Sequence, residues 1–426
     1  MHLNPAIAAE LEALNHPSLP HIDLSLERMR QLLQALGNPE RKLAPVIHLA
    51  GTNGKGSTLA FLRAIYEASG YRVHAYTSPH LVSFNERIVI AGSEISDDYL
   101  MQLLARVSEA AKTIPVTFFE ATTAIAFIAF AEHAGDVVLL ETGLGGRLDA
   151  TNMVANPIAS IITPIDYDHK EFLGDTLAVI AAEKAGIVKR GAMCFIGEQK
   201  PEAREVLKRT ARMQEAPVIL HGRDWRYEVK PSHIEVMAGA RAWHLPFPSL
   251  VGAHQQHNAA LASVVAQSLP QLAITQAALE KGVRHATWPA RLQPLTHGPL
   301  VDAWGARGAV MLDGGHNPHA AMALADWIDS QSAPVTLLCG MMRRKDAAGF
   351  FRPLAKKITR FIAVPIAQHD AFAPEELREV AELLGVDSPL GAASLTAAHM
   401  HFTADKGCLL VTGSLFLAGE VLKNHS

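Results

Sequence analysis

The chain has 426 residues, of which 49% are hydrophobic and 19% charged, and its formal net charge is −4. That length exceeds what one hydrophobic core usually serves, so two or three domains are expected. The near-neutral charge, with no block of like sign, argues against a nucleic-acid or membrane surface.

Taken in order, the start Met1-His2-Leu3-Asn4-Pro5 lacks a basic stretch followed by an apolar core, so no signal peptide is expected. The run Val46-Ile47-His48-Leu49 predicts a strand, and Leu59 to Ile65 predicts a helix. Between them lies Ala50-Gly51-Thr52-Asn53-Gly54-Lys55-Gly56-Ser57-Thr58. Its glycines permit a tight turn and close backbone approach, and the amides at the helix start favour an anion. Lys55 adds charge for terminal phosphates, and Ser57 offers a hydroxyl to a phosphate-bound magnesium. The segment reads as a nucleotide-phosphate cradle. It departs from G-x-x-x-x-G-K-[ST], because position 49 is Leu and Gly56 follows Lys55.

Further strands are expected at 72–77, 136–141, 158–163 and 193–196, with helices at about 121–133 and 177–188. The most apolar helical run, Ala124 to Ala131, is too short to cross a bilayer. Continuous β-branched runs separated by helices predict a parallel sheet covered on both faces. Residues 222–250 read as a meander, an antiparallel extension of that sheet, followed by helices at about 256–268 and 275–283. Proline at Trp288-Pro289-Ala290 marks a linker. Beyond it the alternation restarts, with strands at 309–313, 335–339, 361–364 and 408–412 and helices at 319–330, 349–357, 375–384 and 415–422. The fold class expected is therefore α/β in two domains. Residues 1–287 carry a P-loop ATPase-type parallel sheet with helices on both faces, and 288–426 a smaller Rossmann-like domain. Cys194, Cys339 and Cys408 are far apart in apolar runs and read as buried hydrophobes, which suits a reducing cytosol.

Polar residues gather where strands end, the ligand side of an open α/β sheet. Glu141 closes one strand beside the glycine-rich Thr142 to Asp149 loop, placed either to hold magnesium or to cap the loop. Asp166, Asp168 and His169 follow another strand, and His169 is either a metal ligand or structural. Ser78, before Pro79, is an oxygen donor or merely the start of a turn. Lys184, in Glu183-Lys184-Ala185-Gly186 on an apolar helix, reads by itself as a snorkelling or ion-paired lysine. Asp313-Gly314-Gly315-His316-Asn317-Pro318 again joins strand to helix, and Arg291 lies in the linker; these are ribose and phosphate contacts, or a capped helix start and a surface arginine.

Together these segments, with Asp23-Leu24-Ser25-Leu26-Glu27-Arg28, His254-Gln255, Asn258-Ala259-Ala260 and Trp288, resemble the folylpolyglutamate synthase/dihydrofolate synthase family of the Mur ligase superfamily. The resemblance runs through nearly the whole chain and is most specific at Gly51–Ser57 and Gly143–Asn152. It implies that Thr52, Asn53, Gly54 and Lys55 hold ATP phosphates and that Ser78, Glu141 and His169, with Ser57 as a weaker addition, ligate magnesium. It further implies a carbamylated Lys184, adenine at Asn258, phosphate at Arg291, ribose at Asp313 and nucleotide contact at His316; Lys55, Lys184, His169 and Arg291 would carry catalysis. The pterin-bearing substrate would lie near Asp23, Leu24 and Ser25, near Thr117, Phe118 and Phe119, and near Leu148, Asp149 and Ala150. The activity implied is ATP-dependent amide ligation of L-glutamate to dihydropteroate and to reduced folates through an acyl phosphate, with ATP between the domains; the quoted motifs are shared by both activities, so one of the two alone is an alternative, as is a nucleotide-binding protein without ligase chemistry. A cytoplasmic monomer is expected, with no nucleic-acid or membrane partner. Two departures from the family pattern are Gly314-Gly315 after Asp313 and Ala290 in place of a glycine before Arg291.

Overall fold

The computed structural model describes residues 5–14, 24–367 and 369–424. The chain divides into two compact units, one running up to Ser249 and including Gln256–Thr287, the other formed by Leu250–Gln255 with Trp288–Ser426.

The larger unit is built on eight strands: β1 Val46–Ala50, β2 Val73–Tyr76, β3 Ile88–Ile90, β4 Ser93–Glu94, β5 Val137–Glu141, β6 Ala159–Ile162, β7 Met193–Ile196 and β8 Val218–Leu220. They lie in the order β4-β3-β2-β5-β1-β6-β7-β8. β2 and β5 through β8 pair parallel through β1, whereas β3 and β4 are antiparallel additions at one edge. Every residue of β1 and β5 is buried, as central parallel strands covered on both faces require. Helices Glu27–Ala35, Asp97–Ala111 and Phe118–Glu132 share one apolar core with Tyr76, Val138 and Leu140. Helices Leu177–Ala185 and Pro201–Met213 share another with Ala50, Ile162 and Ile196. Helix Gln276–His285 reaches helix Lys55–Ala68 at Gly282, where a Cβ would stand 2.5 Å from Ile65 Cα.

Several expected elements differ in extent or setting. The helix expected from Ala121 begins at Phe118, because a capping box of Thr117 and Glu120 starts it; it is apolar all round, so no amphipathic period announces its first turn. Helices Asp97–Ala111, capped by Ser96, and Pro201–Met213 were not anticipated. The meander β9 Trp225–Val229, β10 Ile234–Ala238, β11 Arg241–Leu245 is a separate antiparallel sheet and not an extension of the large one.

In the smaller unit the strands are β12 Gln293–Leu295, β13 Val310–Leu312, β14 Val335–Cys339, β15 Arg360–Ala363, β16 Leu390–Gly391 and β17 Cys408–Thr412, in the order β12-β13-β17-β14-β15-β16. All pair parallel except β12. The helix expected over 349–357 is only Ala347–Phe351, since Pro353 has no amide hydrogen to continue it. The three cysteines are buried and free. Among the described residues no helix is long and apolar enough to cross a membrane.

Candidate active site

Sheet order brings distant loops side by side. The C-terminal ends of β2, β5, β1 and β6 are adjacent, so Ser78, Glu141, the Gly51–Lys55 loop and the 163–169 segment occupy one edge. The loop is pinned from β6. The amides of Thr52 and Asn53 donate to Pro164 O at 3.0 and 3.3 Å, and Thr52 Oγ1 donates to Asp166 O at 2.9 Å. Gly51 has no room for a side chain, because a Cβ would lie 1.9 Å from Thr163 Oγ1. Gly54 has φ +86°, and a Cβ there would meet Asn258 Oδ1 at 2.6 Å, which places buried Asn258 against the loop. Ser57 is buried within the first turn of helix Lys55–Ala68.

Two amines converge on one carbonyl. Lys55 Nζ donates to Gly51 O at 3.1 Å, and Lys184 Nζ donates to the same oxygen at 2.9 Å. Lys184 is buried, and its pKa falls from 10.5 to about 7, first because burial disfavours the cation and then because Lys55 repels it. A glycine-tight junction holds it there. A Cβ on Gly146 would stand 2.9 Å from the carbonyls of Glu183 and Lys184, and one on Gly186 2.3 Å from Arg147 Cα. Arg147 N donates to Glu183 O at 2.7 Å, and its guanidinium pairs with the Glu183 carboxylate at 2.8 Å. Gly186→Ala should therefore force backbone apart and destabilise the unit by about 1–3 kcal/mol, read as a lower denaturant midpoint. A wild-type midpoint would show that the junction yields freely.

The Lys184 shift has a pH signature. Folded Lys184 is neutral above about 7 while the unfolded residue stays charged up to 10.5, so the unfolded state binds more protons across that window. This contribution makes stability rise with pH from 7 to 10.5. Lys184→Met, in buffer free of carbon dioxide, should be more stable than the parent at pH 6, and the gain should shrink toward pH 10. A pH-independent gain in chemical denaturation would mean the folded amine stays charged.

Glu141, buried at the end of β5, accepts from Ser78 N at 3.3 Å; the Ser78–Pro79 peptide is cis. His169 adopts left-handed φ +50°, and its Nε2 lies 3.9 Å from Asp168 Oδ1. The Asp166 carboxylate is taken by Lys200 at 2.8 Å. Among the described residues no three His, Cys, Asp or Glu side chains form a metal cluster. A single buried carboxylate with a serine beside it suits magnesium, which binds through one or two carboxylates plus substrate phosphates and is rarely caged by protein alone.

The segments expected to meet the pterin-bearing substrate are also brought together. Phe119 packs on Gly143, where a Cβ would lie 2.4 Å from Phe119 Cζ. Arg28 pairs with Glu120 at 3.2 Å, tying the Leu24-to-Arg28 stretch to the Thr117 cap. Asp23 lies outside the described residues, while Leu24 and Ser25 are half-buried. Asp149 is buried, and its carboxylate accepts from Leu144 N at 2.7 Å and Thr151 N at 3.0 Å; its side chain organises the loop that carries Leu148 and Ala150. Sequence reading missed the Arg28–Glu120 tie and Arg87, whose Nε donates to His80 Nδ1 at 2.8 Å, because single charged residues carry no motif.

In the smaller unit, Arg291, Asp313 and His316 share one loop cluster. Asp313 accepts from Leu292 N at 2.9 Å and Gly315 N at 2.7 Å. Arg291 donates to Ala290 O at 2.8 Å, and His316 Nδ1 lies 3.0 Å from Gly314 O. Both departures leave a physical trace here. Ala290 takes a left-handed φ of +53°, and a Cβ on Gly314 would stand 2.9 Å from the Arg291 guanidinium.

The family model for the Mur ligase middle domain matches residues 49–266, and that for the dihydrofolate synthetase C-terminal domain matches 301–424. The dihydrofolate synthase/folylpolyglutamate synthase of Bacillus subtilis (strain 168) is 34% identical over 420 residues, covering 93% of this chain and 94% of that protein. E. coli FolC in complex with DHPP and ADP matches with a TM-score of 0.88 and 30% identity over 98% of this chain and 97% of that one. A crystal structure of a bifunctional folylpolyglutamate synthase/dihydrofolate synthase with Mn, AMPPNP and L-glutamate bound matches with a TM-score of 0.85 and 29% identity, over 98% and 97% of the two chains. With both units matched in order and the glycine loop, Glu141 and Lys184 gathered at one sheet edge, the chain belongs to the folylpolyglutamate synthase/dihydrofolate synthase family of Mur-type ligases.

Proposed function

We propose that this chain joins L-glutamate to dihydropteroate and to reduced folates, using ATP and a divalent metal. The convergence of the Gly51–Lys55 loop, Ser78, Glu141 and the depressed Lys184 at one edge of the sheet is the observation that carries this reading. Family membership supports it, as do the nucleotide, metal and glutamate bound to the matching structures.

A carboxylate is a poor acyl donor because its leaving group would be oxide. Its oxygen attacks the γ-phosphorus of ATP, ADP departs, and an acyl phosphate results. The amino group of L-glutamate then attacks the carbonyl carbon, loses a proton and expels inorganic phosphate. The protein's work is positioning and charge stabilisation. Thr52, Asn53, Gly54 and Lys55 hold the phosphates, and Asn258 contacts adenine. Magnesium, when bound, would neutralise charge on the transferring phosphoryl group, held by Ser78, Glu141 and His169 with Ser57 in support. Arg291, Asp313 and His316 serve the nucleotide's phosphate and ribose. Asp23, Leu24, Ser25, Thr117, Phe118, Phe119, Leu148, Asp149 and Ala150 are assigned to the pterin end.

Lys184 is proposed to be carbamylated. A neutral amine is what carbon dioxide reacts with, and burial lowers the Lys184 pKa to about 7. Labelled bicarbonate should give a carbamate carbon resonance that is absent from Lys184→Met. We propose a cytoplasmic monomer.

The decisive assay is phosphate release with ATP, magnesium and L-glutamate, with dihydropteroate or tetrahydrofolate as acceptor. Release with both supports the two activities together, and release with one names a single role. Release indifferent to glutamate would refute ligation.

A further inference from the structure

Arg87 ends the 3-10 turn Phe84–Arg87, and the residue is only 8% exposed. A buried guanidinium ordinarily sits against a carboxylate, because an unpaired buried charge is strongly unfavourable. Among the described residues no carboxylate lies within ion-pair distance of Arg87. The adjacent Glu86 is engaged elsewhere, accepting from the amides of Leu81, Val82 and Ser83 at 2.7, 2.8 and 2.6 Å. Glu120 is taken by Arg28.

Around Arg87 stand two phenyl rings, the Tyr76 hydroxyl and, beyond ion-pair distance, the Glu86 and Glu141 carboxylates. Its guanidinium carbon lies 5.6 Å from the Phe84 ring centroid and 5.7 Å from that of Phe118. Nε donates to His80 Nδ1 at 2.8 Å, which orients the fork. Thr77 N donates to Arg87 O at 3.0 Å, which seats the residue beside the segment leading to Ser78. The cation is thus framed by the Ser78 segment on one side and by Phe118, in the proposed pterin-binding segment, on the other.

Of the anions the ligation brings, only the acceptor acid of dihydropteroate carries its charge on an aromatic ring. A guanidinium set between two phenyl groups matches that combination of a planar carboxylate and an aryl face. We propose that Arg87 binds the carboxylate of the pterin-bearing acid, the group that becomes phosphorylated, with the aryl ring lying toward Phe118. This rests on the acceptor named above.

The test is direct binding, without ATP, of dihydropteroate and of its neutral carboxamide to the wild type, to Arg87→Met and to Arg87→Lys. The wild type should prefer the acid at least tenfold. Arg87→Met should lose that preference by weakening the acid alone, Arg87→Lys should retain part of it, and ATP affinity should be unchanged in both. Equal weakening of acid and amide by Arg87→Met would overturn the assignment and mark a structural role. Should the variants fail to fold, the wild type alone decides, because equal affinity for acid and amide overturns it. Binding of neither compound by the wild type would overturn the pterin reading and this assignment with it, whereas wild-type binding without charge preference would sink only the assignment.

Discussion

Lys55→Ala is expected to lower kcat/KM for glutamate ligation roughly 10²–10³-fold, about 3–4 kcal/mol of transition-state stabilisation, the loss typical of a deleted electrostatic clamp. Lys55 stands at the start of helix Lys55–Ala68, and its amine already folds back onto the loop, 3.1 Å from Gly51 O. A phosphate placed on the loop amides would meet that amine without a large rearrangement. The backbone fold of the loop should survive the substitution, since its anchors are the bonds from Thr52 and Asn53 to Pro164 O, which do not involve the lysine side chain. A circular-dichroism spectrum and melting temperature like the parent's, with turnover lost, is therefore the expected combination. The change should also reach Lys184. The Lys55 charge is the second cause of the depressed Lys184 pKa, so its removal should let that pKa climb and leave less neutral amine at neutral pH. Turnover like the parent's would remove Lys55 from the mechanism.

Glu141→Gln is expected to cost a similar 10²–10³-fold in kcat, about 3–4 kcal/mol, and to raise the magnesium concentration needed for half-maximal rate. The side chain is buried at the end of a fully buried strand, so the substitution preserves shape and removes charge. Ser78 N donates to this carboxylate at 3.3 Å, and an amide oxygen accepts the same bond, so the local backbone should hold. Metal-free ATP affinity should be unchanged, because the phosphate loop is a separate element. A magnesium requirement like the parent's, with rate lost, would instead make Glu141 a support for the Thr142 to Asp149 loop.

How much of this was legible in the chain depends on how local the cause is. The Gly51–Lys55 loop could be read directly because strand, glycines, lysine and helix are contiguous and each follows from short-range sterics and charge. The Gly143–Asn152 stretch was equally plain as a motif, but its inner workings were not. Asp149 was expected at the substrate, and the structure shows its carboxylate bonded to the amides of Leu144 and Thr151. Helix Phe118–Glu132 was shifted in the sequence reading because burial on all sides erases the period that marks a helix face. The meander 225–245 showed its strands through alternation, yet alternation says nothing about which sheet they join.

The α/β class and the phosphate loop were determined by the sequence itself through periodicities and contiguous motifs, and the ligase family through the resemblance those motifs carry. Only the tertiary structure decided that Ser78, Glu141, Gly51 and Lys184 share one edge, because strand order β2-β5-β1-β6 departs from chain order and no short-range signal encodes it. It alone decided the state of Lys184 as well. On its helix the residue reads as a snorkelling cation, but burial beside the Gly51 carbonyl and a second amine lowers its pKa to about 7. Desolvation is a property of everything packed around a side chain, and those neighbours come from segments more than a hundred residues apart in the chain.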